Sequence, residues 1–195
     1  RYISVTGVQT CALPICTNWP KVIDELWPHF KSINLSFSID GVGETFEYMR
    51  FPAVWDEVKS NMEKAREYKK TYNNMHISWC ITLSTINIFT LPETVNEYYK
   101  NYSDFGVYLN LVHGPIHFNI SKLPDTLKDL VIEKLKSIPE EYYSIHQQLP
   151  GIIGFIQNGK YDESVWNEFL ATIKKHDAYR NQNFFETFNE YATHI

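Results

Sequence analysis

Two periods alternate along the chain from Thr17 onward. Val22, Ile23, Leu26, Trp27 and Phe30 recur at the three- and four-residue spacing of one helix face. Asn18 stands before them as a cap and Pro20 falls in the first turn, where a missing N–H is no loss. The stretch 33–39, Ile-Asn-Leu-Ser-Phe-Ser-Ile, switches to strict apolar–polar alternation and ends in the turn pair Asp40-Gly41. A helix is predicted from about Pro52, with Val54/Trp55, Val58, Met62, Ala65 and Tyr68 on one stripe, running out at Tyr72-Asn73-Asn74. The segment 76–83 reads as a second strand. Pro92 opens another helix that turns Val95, Tyr98, Tyr99 and Tyr102 inward, and 106–112 reads as a third strand.

A helix between successive strands is the pattern of βαβ units and a parallel sheet. After Pro115 the alternation stops. Helices are predicted over 124–137, 140–158 (broken or kinked near Pro150-Gly151), 162–175 and a short piece at 184–192. Three parallel strands with helices on one side leave an open edge and a bare face. The expected fold class is therefore α/β, the C-terminal half of a partial (β/α)6 TIM-like barrel over 16–120, followed by a helical C-terminal extension over 121–195.

Composition narrows the function classes. With 195 residues, 44% of them hydrophobic, the chain can bury one sizeable core. A formal net charge of −5 with both signs interspersed argues against nucleic acid as a partner. No apolar run is long enough to span a bilayer, and the first residues lack a signal-peptide pattern, so no membrane partner and a cytoplasmic location are expected. Cys11, Cys16 and Cys80 show no metal-ligand spacing, and Cys80 lies in an apolar strand as a small buried hydrophobe.

Residues 1–15 show neither period. The run Ser-Val-Thr-Gly-Val-Gln-Thr-Cys-Ala-Leu-Pro-Ile closely resembles the translated read-through of a sequencing adapter. This segment is set aside as an artefactual N-terminus, and the natural protein is expected to extend upstream.

In a parallel barrel, ligands meet the carboxyl ends of the strands. Here those positions hold Ser38, Asp40 and Gly41, then Ser84, Thr85 and Asn87, then Asn110, His113 and Gly114. Short polar side chains suit a polar small ligand. His113-Gly-Pro-Ile-His117 lacks the helical spacing of a metal pair and reads as an exposed or substrate-facing loop. Glu140-Glu141 reads as a solvated helix start, and the Tyr98/Tyr99/Tyr102 and Phe184/Phe185/Phe188 groups as packing surfaces.

The segment Ser-Ile-Asp-Gly-Val-Gly-Glu-Thr-Phe-Glu-Tyr-Met-Arg, ending at Arg50, resembles a strand end of radical S-adenosylmethionine (radical SAM) enzymes, with an Arg a dozen residues after the Ser. The likeness continues through Phe51-Pro52-Ala53-Val54-Trp55, the Thr82-Leu83-Ser84 strand end and the third strand. Asp177-Ala178-Tyr179-Arg180-Asn181-Gln182-Asn183-Phe184-Phe185 is similar to the closing segment of members with a twitch or SPASM extension.

The resemblance implies that Ser38 and Arg50 contact the ribose and methionine carboxylate of S-adenosylmethionine. It also implies that Leu111 or Val112 lies beside the adenine, while Asp40 shapes the turn. An Arg suits a carboxylate because its planar fork makes two parallel charge-assisted hydrogen bonds. The implied parent cleaves S-adenosylmethionine reductively to a 5′-deoxyadenosyl radical, using a 4Fe–4S cluster and a flavodoxin or ferredoxin as reductant. Its substrate would be a small molecule or a peptide. The family's Cys-x₃-Cys-x-aromatic-Cys cluster motif does not occur in this chain, so the chain by itself is expected to be inactive. A different α/β-barrel enzyme, or a non-catalytic protein-binding module using the helical tail, are the alternative readings.

Overall fold

In the computed structural model the described residues are Val8–Thr10, Glu25 and 27–192. Most of the helix predicted over 18–30, together with Cys11 and Cys16, lies outside them; Trp27–His29 form a 3-10 turn. The strands are β1 (Val8–Thr10), β2 (Ile33–Ser38), β3 (Met75–Leu83) and β4 (Gly106–Leu111), all parallel and in the spatial order β1-β2-β3-β4. Helices α1 (Glu44–Met49) and α2 (Trp55–Thr71) connect β2 to β3, and α3 (Leu91–Asn101) connects β3 to β4. The tail holds α4 (Asp125–Lys136), α5 (Tyr143–His146), α6 (Leu149–Asn158), α7 (Glu163–Arg180), α8 (Phe184–Thr187) and α9 (Asn189–Ala192).

The two-residue period decides which side of the sheet is which. Leu35, Phe37, Ile77, Trp79, Ile81 and Leu83 are buried beneath Val58, Met62 and Ala65 of α2 and Val95 and Tyr98 of α3. Trp79 is the centre of this layer. Its ring stands 5.0 Å from Tyr102 and 5.5 Å from Tyr98, and its indole N–H donates to the Met62 sulfur at 3.1 Å.

The alternate residues form a polar second face. Asn34, His76, Tyr108 and Asn110 are exposed, and Ser36, Ser38, Ser78 and Thr82 are half-buried. Neighbouring strands are tied across this face by Ser36 Oγ and Ser78 Oγ at 2.9 Å, and by Asn110 Nδ2 donating to Cys80 Sγ at 3.2 Å.

The β4 edge of the sheet is capped. The Leu109 N–H, which points away from β3, donates to Gln148 Oε1 at 3.3 Å, and α5 packs beside β4. On the other side β1 pairs with Leu35–Phe37. Nothing in residues 1–15 reads as a strand, yet a free edge offers a row of backbone donors and acceptors that any extended segment can meet without help from its side chains.

The tail shares the core of the sheet rather than building its own. One continuous apolar cluster runs from β2 and β3 through Leu127, Val131 and Leu135 of α4 to Phe169, Phe184, Phe188 and Tyr191. Three details depart from the sequence pattern. Helix α1 follows Gly43, whose φ of 56° lies in the left-handed region, and Thr45 Oγ1 closes the turn by accepting from the Val42 N–H at 3.0 Å. The segment predicted as helix over 140–158 begins only at Tyr143, and its expected break near Pro150-Gly151 falls just before Leu149, which puts Pro150 in the first turn of α6 where its ring is tolerated. Helix α7 runs past 175 to Arg180 and stops where Asn181 adopts the left-handed conformation. Among the described residues, no helix is long and apolar enough to cross a membrane.

Candidate functional site

At the carboxyl ends of β2 and β3 the backbone is fastened by two buried polar side chains. Asp40 Oδ1 accepts the Thr82 N–H at 2.8 Å, while its other oxygen pairs with Arg50 Nη2. Asn87 Nδ2 donates to the Asp40 carbonyl at 2.8 Å and the Thr82 carbonyl at 3.1 Å; Asn87 Oδ1 accepts from Ser84 N and Ser84 Oγ. Burial outweighs both Arg50 and the Thr82 amide and holds the Asp40 carboxyl above its ordinary range. The Asp40 carboxylate thus ties β2 to β3 and Arg50, whereas the turn that follows is closed by Thr45.

Beside this network lies a cavity of about 220 Å³. Its sheet side is made by Ser84 and Ile86 just beyond β3, Val112 just beyond β4, and Phe118 on the following 3-10 turn. Tyr48 and Met49 of α1 close one flank, and His176 and Arg180 of α7 form the facing wall. A helix of the tail thus completes a site whose floor is the strand ends.

The polar groups of this cavity are held in place by bonds that run outward from it. The Tyr48 hydroxyl donates to Asp177 Oδ1 at 2.9 Å, and burial together with that carboxylate raises its pKa. Asp177 Oδ2 accepts the Phe184 N–H at 3.0 Å, so both of its oxygens are engaged. Arg180 Nη1 donates to the Tyr48 carbonyl at 3.2 Å, and the guanidinium lies 5.7 Å from the Phe51 ring centre.

Of the residues singled out from the sequence, Val112 lines the cavity, and its N–H donates to the Leu83 carbonyl at 2.9 Å. Leu111 pairs in register with Leu83 and packs on the helix-covered side, against the core. Ser38 is half-buried at the end of β2, on the polar face. Arg50 caps α1 next to Met49, with its side chain 25% exposed and fixed by Asp40. Neither Ser38 nor Arg50 lines the cavity. His113 is exposed, and His117 Nδ1 stands 3.2 Å from Glu168 Oε1.

Comparison with protein-family models, with curated proteins and with solved structures found no match.

Arg180 and His176 are the site residues that sequence reasoning passed over. An Asp three positions before an Arg on a helix reads as a surface ion pair, and Asp177 stands in that relation to Arg180. The fold breaks the pairing by giving Asp177 to Tyr48 and the α8 backbone.

His176 offers a direct check on this wall. Burial, then Arg180 and His117, lower its pKa below the usual 6.5, against a smaller opposing pull from Asp177. A His so shifted takes up its proton less readily folded than unfolded. Its stabilising contribution is therefore complete above the unfolded value and is lost as pH falls through the lowered folded one. The melting temperature is expected to drop more between pH 7 and pH 5 in the unsubstituted chain than in His176→Gln. Parallel pH profiles for the two proteins would contradict the placement of His176.

Proposed function

We propose that this chain is the C-terminal part of a radical SAM enzyme, and that its ligands meet the carboxyl ends of β2, β3 and β4. The observation that carries the reading is the polar face opposite α2 and α3. Closure of a barrel would turn that face inward, and its serines, threonine and asparagine suit a polar interior rather than the packed aliphatic layers of a filled barrel. The capped outer edge of β4 suits the last strand of an open (β/α)6 barrel.

Among the described residues, no three His, Cys, Asp or Glu side chains converge as a metal centre requires. A 4Fe–4S cluster therefore does not fit these residues, and its thiolates would come from elsewhere in the parent. For S-adenosylmethionine the fit is better. Asp40 holds Arg50 in one orientation at the strand-end mouth, and Ser38 stands on the same strand end. In that role Arg50 binds a carboxylate and Ser38 orients a hydroxyl-bearing ring. S-adenosylmethionine, when bound beside a cluster in the parent, supplies one-electron chemistry for hydrogen abstraction from a small-molecule or peptide substrate. A flavodoxin- or ferredoxin-type reductant in the cytoplasm completes the proposal.

Sequencing the source DNA across codon 16 tests it. A strand followed by Cys-x₃-Cys-x₂-Cys is expected upstream; a reading frame without those cysteines ends the proposal. In the recovered parent, Arg50→Ala is expected to weaken S-adenosylmethionine binding at least tenfold by equilibrium dialysis, and an unchanged affinity removes Arg50 from that role.

A further inference from the structure

We propose that the cavity between α7 and the ends of β3 and β4 binds an organic carboxylate with a compact apolar body, and that Arg180 holds its charge. This inference requires neither a cluster nor S-adenosylmethionine, so it stands or falls apart from the reading above.

Charge comes first. Arg180 forms no ion pair among the described residues; its contacts there are the Tyr48 carbonyl and the face of Phe51. Asp177, the carboxylate nearest in sequence, is turned to the Tyr48 hydroxyl and the Phe184 amide. A guanidinium never loses its proton at accessible pH, and its fork matches a carboxylate in two parallel bonds. The other polar walls are already engaged. Ser84 Oγ bonds Asn87 Oδ1 at 2.9 Å and receives the Ile86 N–H at 3.3 Å. The Tyr48 hydroxyl points to Asp177. His176, the remaining polar wall, has its pKa lowered by burial and by Arg180 and is uncharged at neutral pH, which leaves Arg180 as the group that selects charge.

Size and polarity then restrict the rest of the ligand. Met49, Ile86, Val112 and Phe118 present apolar surface to the cavity. An apolar cavity of about 150 Å³ is filled by benzene. The 220 Å³ here therefore accepts one ring, or a branched aliphatic group of that size, plus a carboxylate. A nucleotide or a peptide of several residues would extend well outside it. Inorganic phosphate would leave the apolar walls uncovered.

The experiment titrates phenylacetate into the whole chain by calorimetry, with saturation-transfer NMR as a second readout, and repeats it with phenylacetamide and with acetate. Phenylacetamide keeps the shape without the charge, and acetate keeps the charge without the ring. Saturable phenylacetate binding is expected, at least tenfold tighter than either analogue. Arg180→Gln, which keeps a donor for the Tyr48 carbonyl, is expected to reduce it at least tenfold. Val112→Trp, which fills the cavity from the strand side, is expected to abolish it. The ligand comparison uses the natural chain, so it decides the matter even where a variant folds poorly. Equal binding of phenylacetamide, or no saturable binding of phenylacetate, overturns the proposal. So does an Arg180→Gln variant that melts like the natural chain and binds phenylacetate equally well.

Discussion

Asn87→Ala is expected to lower stability by about 3 kcal/mol, although it removes only a small polar side chain. Asn87 is 1% exposed, and its amide joins four groups at the strand ends. Its oxygen accepts from Ser84 N at 2.8 Å and Ser84 Oγ at 2.9 Å, and its nitrogen donates to the carbonyls of Asp40 and Thr82. Truncation to a methyl leaves these groups short of a partner where water has no ready access. Each buried, unmatched group costs about 1–3 kcal/mol, and local relaxation recovers part of the sum. A urea titration reads the result as a lower midpoint at unchanged slope. A loss below about 1 kcal/mol would mean that the strand ends do not depend on this side chain.

Gly159→Ala is expected to be at least as damaging, for a steric reason. A Cβ at Gly159 would stand 2.0 Å from the Ser121 carbonyl oxygen and 2.5 Å from Ser121 Cβ. The obstacle is backbone, so no flexible tip can swing aside. Any shift also disturbs the Gly159 carbonyl, which accepts from Lys128 Nζ at 2.9 Å, and Lys128 is buried. Overpacking of this kind costs about 3 kcal/mol or more, which lowers the melting temperature by roughly 6–12 °C in a chain of this size. Gly154, inside α6, has no atom within 4 Å of its would-be Cβ, so Gly154→Ala is the matched control. It is expected to be neutral or slightly stabilising, because alanine favours a helix over glycine. Equal melting temperatures for the two variants would refute the close approach.

The strands and long helices were legible because burial on one face writes a period into the sequence. Ile33, Leu35 and Phe37, like Trp79, Ile81 and Leu83, are buried where the alternation places them. The stripe Trp55, Val58, Met62 and Ala65 faces the sheet as its spacing requires. Short elements carry less of this information. Helix α1 has six residues, too few for a period to emerge, and its start depends on the left-handed Gly43.

The candidate site was legible in part. Residues at strand ends can be counted from the strands, and Ser84 is reached that way, while Val112 entered through the resemblance. The facing wall was not, since His176 and Arg180 meet the strand ends only through the packing of Phe169, Phe184 and Tyr191 under α7. Such a contact spans nearly a hundred positions of sequence and has no local pattern. The register also separates neighbours that sequence treats alike. Leu111 goes to the core side and Val112 to the cavity, one residue apart.

The capped rim of β4 has a consequence for crowded solutions. With Gln148 occupying the Leu109 amide and α5 alongside, a strand from a neighbouring molecule finds the middle of the ladder already taken on that side. Strand addition is left to the β2 side, which β1 shields over Leu35–Phe37. Two copies joined there across a two-fold axis turn only blocked rims outward. Association by that route favours a closed pair over an open-ended array.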